Sequence, residues 1–493
     1  MRVLLGGHDP AMSPDVRAAT LATEAGGQPG WAATSLAARA DVLARAATRL
    51  AADAEALAAE LRAADGRREG EVWSAEIVPT LEALCWLARD GARALRPRRL
   101  RRARLQWYFR ATRHELHWEP RGVVGVITPS NSLLFLAVPQ VAAALLAGNT
   151  VRWKPAPAGG AVARRVAASL ADAGLPGGAL EVVEGDAEAA SAIVRAGVDL
   201  LHFTGSADAG HALARLHAAR GRPAVLELSG RHVALVLGDA DPGLAARGLA
   251  WGKLANAGRN CLSVQLVLAE RSIAPALLDA LVAALGALAP DGTTTARRTD
   301  ESDRLAALVD DARRRGARLV VGAPEGVVLL TGVRPGMRVV DEEVHGPVLG
   351  FAALASTDEA VAWVNGGRLR LSASIWSGRP PRAHAIARRL DVGQVWINEM
   401  LHPAAHPEVT LAGRGASGYG ANRGLAGLME MVAPKVISTT PLRAPRRHFA
   451  PGHPATVDLF RATVAVAFTR GRRRLTALGA VARALARLAG GAR

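Results

Sequence analysis

Between residues 121 and 228, short β-branched runs alternate with helical stretches of about a dozen residues, and this rhythm constrains the chain more than any other feature. The runs fall at 123–128, 150–154, 180–184, 199–203 and 224–228, with helical patterns at 133–147, 160–174, 186–196 and 206–220 between them. Strands joined through helices run parallel, so the stretch predicts βαβ units and a sheet covered on both faces. The fold class is α/β, with a doubly wound parallel sheet of the nucleotide-binding kind. Residues 233–425 continue the alternation, with strands at 233–237, 264–268, 319–321 and 395–398 and helices at 243–257, 273–288 and 380–391. They predict a second α/β domain. Ahead of the sheets, 35–62 and 73–94 read as helices, and Cys85 in the second is expected to be a buried core thiol.

Composition narrows the class. The chain has 493 residues, half of them hydrophobic and 21% charged, which excludes a disordered chain. Two cysteines, Cys85 and Cys261, cannot build a disulfide framework and point to a reducing, cytoplasmic compartment. The start offers one Arg and a three-residue apolar run, too little for a signal peptide. The apolar stretch 133–147 contains Pro139 and Gln140 and is too short for a membrane span.

The net charge of +17 invites a nucleic-acid reading, but it is local. Residues 95–113 hold eight Arg and no acid; 441–493 hold eleven Arg and one Asp. Together these segments exceed the whole-chain charge by one unit, so the body is nearly neutral. Only Lys154, Lys253 and Lys435 are lysines, which marks a bias toward Arg rather than a nucleic-acid surface. Beyond a linker at 445–454, residues 456–488 are amphipathic and basic. They read either as a solvated helix on the body or as an interfacial helix on anionic lipid.

Three places carry chemistry. Phe203-Thr204-Gly205-Ser206 closes a strand and opens a helix, where free N–H groups and the Ser206 hydroxyl form either an anion site or an ordinary capped junction. No G-x-G-x-x-G follows the first strand. Cys261 follows Asn256-Ala257-Gly258-Arg259-Asn260 at a polar turn, which suits a reactive thiolate or a half-buried structural thiol. Glu227 ends an apolar parallel strand, at a ligand-binding edge or at a solvated strand end. His402 and His406 are four apart, but Pro403 makes the segment a loop, so no metal is expected.

In order along the chain come Glu119-Pro120-Arg121-Gly122-Val123-Val124-Gly125, Pro129-Ser130-Asn131, Ala147-Gly148-Asn149-Thr150-Val151-Arg152-Trp153-Lys154-Pro155 and Phe203-Thr204-Gly205-Ser206. Leu226-Glu227-Leu228-Ser229-Gly230, Asn256 to Cys261, Glu342-Glu343-Val344-His345-Gly346-Pro347 and Ser417-Gly418-Tyr419-Gly420 follow. In this succession, over roughly 35–440, the chain resembles the aldehyde dehydrogenase superfamily, in its NAD(P)-dependent, acid-forming branch. The 34-residue separation of Glu227 and Cys261 is the one that family shows.

The resemblance implies a mechanism. Cys261 attacks a small-molecule aldehyde to form a thiohemiacetal, and the Asn131 amide with the Cys261 N–H holds the oxyanion. Hydride loss leaves a thioester, and Glu227 activates the water that releases a carboxylic acid. Glu227 argues against release to coenzyme A. Lys154 would contact the adenosine ribose, Ser206 the pyrophosphate and Glu343 the nicotinamide ribose, with Gly205 and Leu228 also binding the cofactor.

It also implies an NAD(P)-binding domain at 1–97 and 121–229, an oligomerisation arm at 98–120 and 427–440 and a catalytic domain at 230–426. A basic extension at 441–493 lies outside it. A homodimer or homotetramer is expected. Departures stand at Ser130 (for Trp), Arg259 (for Gln), Ser229 (for Gly) and His345 (for Phe). Pro157 takes the place of a cofactor-selecting Glu, which leaves NAD against NADP open. Their sum supports an alternative, an impaired member acting as a scaffold or membrane-peripheral protein.

Overall fold

The computed structural model describes residues 27–101, 111–288, 299–322, 326–443 and 454–490. Trp107, Tyr108 and Phe109 of the expected arm and residues 445–453 of the expected linker lie outside them. The chain divides into two units, Met1–Leu95 with Pro120–Ala433, and Arg96–Glu119 with Pro434–Arg493.

The larger unit holds two sheets. In the first, the spatial order is Gly418–Tyr419, Ala224–Glu227, Leu200–Thr204, Val123–Ile127, Thr150–Lys154, Leu180–Val182, parallel throughout except for the antiparallel edge Gly418–Tyr419. The chain starts at the centre, winds outward to Leu180–Val182, then crosses back to Leu200–Thr204 and Ala224–Glu227. The winding direction therefore reverses between Val123–Ile127 and Leu200–Thr204, the position where open α/β sheets bind ligands. Gly122 enters this sheet with a φ of 132°, and a Cβ there would lie 2.1 Å from the Asp199 carboxylate, so only glycine fits.

The second sheet runs Arg318–Val321, Val328–Thr331, Val348–Leu354, Val264–Glu270, His232–Val236, Ser372–Trp376, Gln394–Ile397, with Arg318–Val321 antiparallel. Three of these strands escape a search for β-branched runs. Val348–Leu354 is interrupted by Gly350 and alanines, and Ser372–Trp376 carries two serines whose hydroxyls hold buried His232 at 2.8 and 3.1 Å.

Helices Leu36–Ala52, Ala54–Asp65 and Val78–Trp86 form much of the flank expected from the first hundred residues. Cys85 is exposed, not buried: Leu84, Trp86 and Leu87 occupy the inward face, and Cys85 falls on the opposite one. The expected helix from 133 starts instead at Val138 (Val138–Leu146), with a proline in its first turn. The residues ahead of it are fixed by the fully buried Glu76, whose Oε2 accepts the Leu134 and Phe135 N–H groups at 3.0 and 2.7 Å while Oε1 binds Arg67 at 2.6 Å. Glu76→Ala would take one of two carboxylates, the other being Asp65, from buried Arg67 and strand two amides. Its expected cost is about 3–5 kcal/mol of unfolding free energy, read from the urea midpoint at unchanged slope.

The smaller unit carries a three-stranded antiparallel sheet, Arg98–Arg99, Arg113–Pro120, Val432–Thr439, and a helical hairpin, Pro454–Phe468 and Gly471–Gly490. Residues 427–430, expected in the arm, belong to the helix Gly424–Glu430 of the larger unit. Among the described residues no helix is long and apolar enough to cross a membrane.

Candidate active site

At the carboxyl ends of the first sheet the chain leaves each strand into a turn: Pro129-Ser130-Asn131, Thr204-Gly205-Ser206 and Glu227-Leu228. These turns, with Cys261, Glu343 and His345, line a cleft of about 360 Å³. The expected residues Asn131, Gly205, Ser206, Glu227, Leu228, Cys261 and Glu343 all meet there. Lys154 ends the neighbouring strand and does not line it.

The loop that carries Cys261 is held in an uncommon backbone. Helix Pro242–Leu254 ends, and Asn256, Ala257 and Gly258 then take φ values of 51°, 53° and 74°, three left-handed residues in succession. Glycine is required at 258 because a Cβ would lie 2.4 Å from the Gly346 carbonyl, and the Gly346 N–H donates back to the Gly258 carbonyl at 3.0 Å. The loop bearing Cys261 is thus locked to the loop bearing Glu343 and His345. Lys253 adds to the lock: its Nζ is buried and donates to the Gly346 and Val348 carbonyls at 2.9 and 3.2 Å. Burial pushes its ammonium down to about 7.

Cys261 Sγ lies 3.9 Å from Glu227 Oε1 and 3.8 Å from Asn260 Oδ1. Burial, then the negative charges of Glu227 and Glu343, push the thiol well above its ordinary value, and Arg423 pulls against them. Burial also raises the Glu227 carboxyl, opposed by the Asn422 hydrogen bond, the Arg423 charge and Cys261. A raised carboxyl beside a raised thiol is a pair across which one proton can move.

Asn422 and Arg423 escape the sequence reading. The Asn422 amide donates to Glu227 Oε2, and the Arg423 guanidinium stacks 4.4 Å over the Phe135 ring while donating to the Ala404 carbonyl at 2.7 Å. Arg423 is buried, and burial lowers it to about 10, so it stays charged at neutral pH. A signal was available: both residues directly follow the Ser417-Gly418-Tyr419-Gly420 match and Ala421. Arg259, by contrast, spends its guanidinium at 3.7 Å from Glu301, so the cation that offsets the acids at Cys261 is Arg423.

Asn131 Nδ2 donates to the Arg259 carbonyl at 2.9 Å, and the Asn131 carbonyl accepts from Asn256 Nδ2 at 2.7 Å. One amide N–H is so engaged, which orients the side chain and leaves the second N–H for the cleft. Ser206 caps helix Ala207–Ala218, and Ser229 Oγ, beside Glu227, accepts the Ala207 N–H at 3.3 Å. Glu343 Oε1 accepts the Gly230 N–H at 2.9 Å. Burial lowers the His345 imidazole, leaving a neutral ring on the cleft wall. Thr204 Oγ1 is buried without a hydrogen-bond partner at the edge of the cleft. The Lys154 ammonium, lowered by burial, makes no ion pair among the described residues. This donor set suits the diphosphate and riboses of a dinucleotide. Among the described residues no three His, Cys, Asp or Glu side chains gather as metal ligands.

A family model described as the aldehyde dehydrogenase family matches residues 6–437. The chain is 32% identical over 396 residues to the 4,4'-diapolycopene aldehyde oxidase of a Methylomonas species, covering 78% of this chain and 74% of that one. It is 33% identical over 407 residues to the NADP-dependent glyceraldehyde-3-phosphate dehydrogenase of Streptococcus equinus, covering 80% and 84%. The crystal structure of an NAD-dependent aldehyde dehydrogenase from Sinorhizobium meliloti superposes with a TM-score of 0.79 at 29% identity, covering 88% of both chains. With the sheet order and the cleft already defined, these matches settle the class: the chain belongs to the aldehyde dehydrogenase family.

Proposed function

We propose that this enzyme oxidises an aldehyde with an apolar substituent to its carboxylic acid, with Cys261 as covalent nucleophile and NAD or NADP as acceptor. The observation that carries the reading is the Cys261 thiol 3.9 Å from the buried Glu227 carboxylate in one cleft. Glu227 takes the thiol proton through Oε1 as sulfur adds to the carbonyl carbon. The free N–H of Asn131 and the Cys261 backbone N–H face the alkoxide of the thiohemiacetal. A nicotinamide dinucleotide would be held by Lys154, Gly205, Ser206, Leu228 and Glu343 and would supply the acceptor for the hydride lost from this carbon. Once the thiol proton has passed to solvent, the Glu227 carboxylate, steadied through Oε2 by Asn422, draws a proton from water. The hydroxide cleaves the carbon–sulfur bond of the thioester, and the acid departs as the thiol regains a proton.

Leu136 lines the cleft together with Cys261, and the apolar substituent is proposed to lie against it. Relatives named for apolar aldehydes agree with it, among them a benzaldehyde dehydrogenase of Pseudomonas putida and a geranial dehydrogenase of Castellaniella defragrans. Hexanal or benzaldehyde should exceed succinate semialdehyde by about tenfold or more in kcat/KM, read as NADH and NADPH absorbance. The reverse order overturns the apolar assignment. No reduction of either cofactor by any of the three overturns the proposal.

The strand Val432–Thr439 forms an edge of the small sheet and exposes Val436 and Ile437. An apolar edge left unpaired among the described residues supports assembly of a homodimer or homotetramer through the arm. Two unpaired cysteines agree with a cytoplasmic location.

A further inference from the structure

The family match ends at residue 437, and the helical hairpin lies beyond it. Helices Pro454–Phe468 and Gly471–Gly490 pack antiparallel, and an Arg487–Asp458 ion pair of 3.2 Å joins them. Ala455, Leu459 and Ala462 on the first helix and Ala477 and Ala484 on the second are buried. The opposite stripe is apolar as well. Val457, Val464 and Phe468 follow one another at spacings of seven and four on the first helix, and Leu475 and Leu478 are three apart on the second. All five are exposed, and exposure is greatest beside the bend, 75% for Phe468 and 68% for Leu475.

Between those two residues stand Arg470, Arg472, Arg473 and Arg474, all exposed and none in an ion pair among the described residues. The hairpin contains one acid, Asp458, already bound to Arg487. An apolar tip collared by four cations has one complementary surface of mixed chemistry, a plane with phosphates outside and hydrocarbon beneath. A second copy of the tip would bring eight arginines together. A nucleic acid would use the arginines and leave Phe468 and Leu475 in water. Neither helix is long and apolar enough to span a bilayer, so the contact is with its surface.

We propose that the hairpin docks this protein on bilayers carrying anionic lipid, with Phe468 and Leu475 entering the headgroup–acyl boundary while Arg470, Arg472, Arg473 and Arg474 meet lipid phosphates. The contact is peripheral and salt-sensitive, and it uses none of the residues placed in the cleft.

The test is co-sedimentation of the full chain with vesicles of phosphatidylcholine alone or mixed with phosphatidylglycerol. Wild type should pellet with the mixed vesicles and not with phosphatidylcholine. R472Q/R473Q/R474Q should weaken partitioning by about a hundredfold, and F468S/L475S by about tenfold or more, with aldehyde oxidation unchanged in both. Light scattering without vesicles should give one mass for wild type and F468S/L475S. Wild type remaining in the supernatant overturns the proposal. So does equal partitioning of F468S/L475S and wild type, which would reduce the contact to the polyanion binding a DNA duplex also supports. A smaller mass for F468S/L475S would assign the apolar tip to a second copy instead.

Discussion

Cys261→Ala should bring NADH or NADPH formation with any aldehyde substrate to background, a loss of about 10⁴-fold or more. The expectation is this large because nothing else in the described cleft can take the role: Ser130, Thr204 and Ser206 line it, but Glu227 stands against the sulfur. Glu227→Gln separates the two halves of the reaction. It removes the base from water activation, so turnover should fall by about 10²–10⁴-fold. The thiolate can still form at alkaline pH, so a rapid burst of reduced cofactor, stoichiometric with enzyme, should survive there. A burst in Glu227→Gln and none in Cys261→Ala assigns nucleophile and base as drawn. A Cys261→Ala variant with a tenth of wild-type turnover would remove the covalent mechanism altogether.

The second large effect is expected at Arg423. Its charge favours the thiolate of Cys261 and the carboxylate of Glu227, both of which burial disfavours. Arg423→Met keeps most of the volume against Phe135 and removes the cation. The Cys261 thiol then rises further, and each added pKa unit lowers the thiolate fraction tenfold at any pH below it. At pH 7 kcat/KM should fall by about tenfold or more, and the rising limb of the pH profile should move to higher pH, so that alkaline conditions recover part of the loss. Arg423→Lys should recover part of it at neutral pH. A uniform fall with an unmoved pH limb would make Arg423 a packing residue.

The alternation of strand and helix from 121 to 228 was legible because four of its five parallel strands are buried at nearly every residue, Leu180–Val182 being half-buried, and each reads as a mostly apolar or β-branched run. Ser372–Trp376 was not, since a strand that holds a buried histidine by its hydroxyls has no such run. Cys85 was misplaced because one helical turn carries too many apolar residues for spacing alone to choose the inward face. In the site, local context left Cys261, Glu227 and the 203–206 turn open between chemical and structural roles, and the ordered succession of motifs singled them out. Asn422 and Arg423 were not singled out: nothing near residue 227 signals a partner 195 residues away. The charge at 259 was conspicuous in the sequence, yet its pairing with Glu301 depends on a helix brought in from 299–314.

That same span of 195 residues bears on how the enzyme comes into being on the ribosome. The five parallel strands of the first sheet and Cys261 are all synthesised by residue 261, whereas the edge strand Gly418–Tyr419 and the Asn422 amide emerge about 160 residues later. A nascent chain therefore holds its thiol for about a third of its synthesis beside a carboxylate with no anchor. Closure of the edge is a non-local step of the slow kind. Competence for turnover should appear abruptly, once the final strand docks, rather than grow as the chain lengthens.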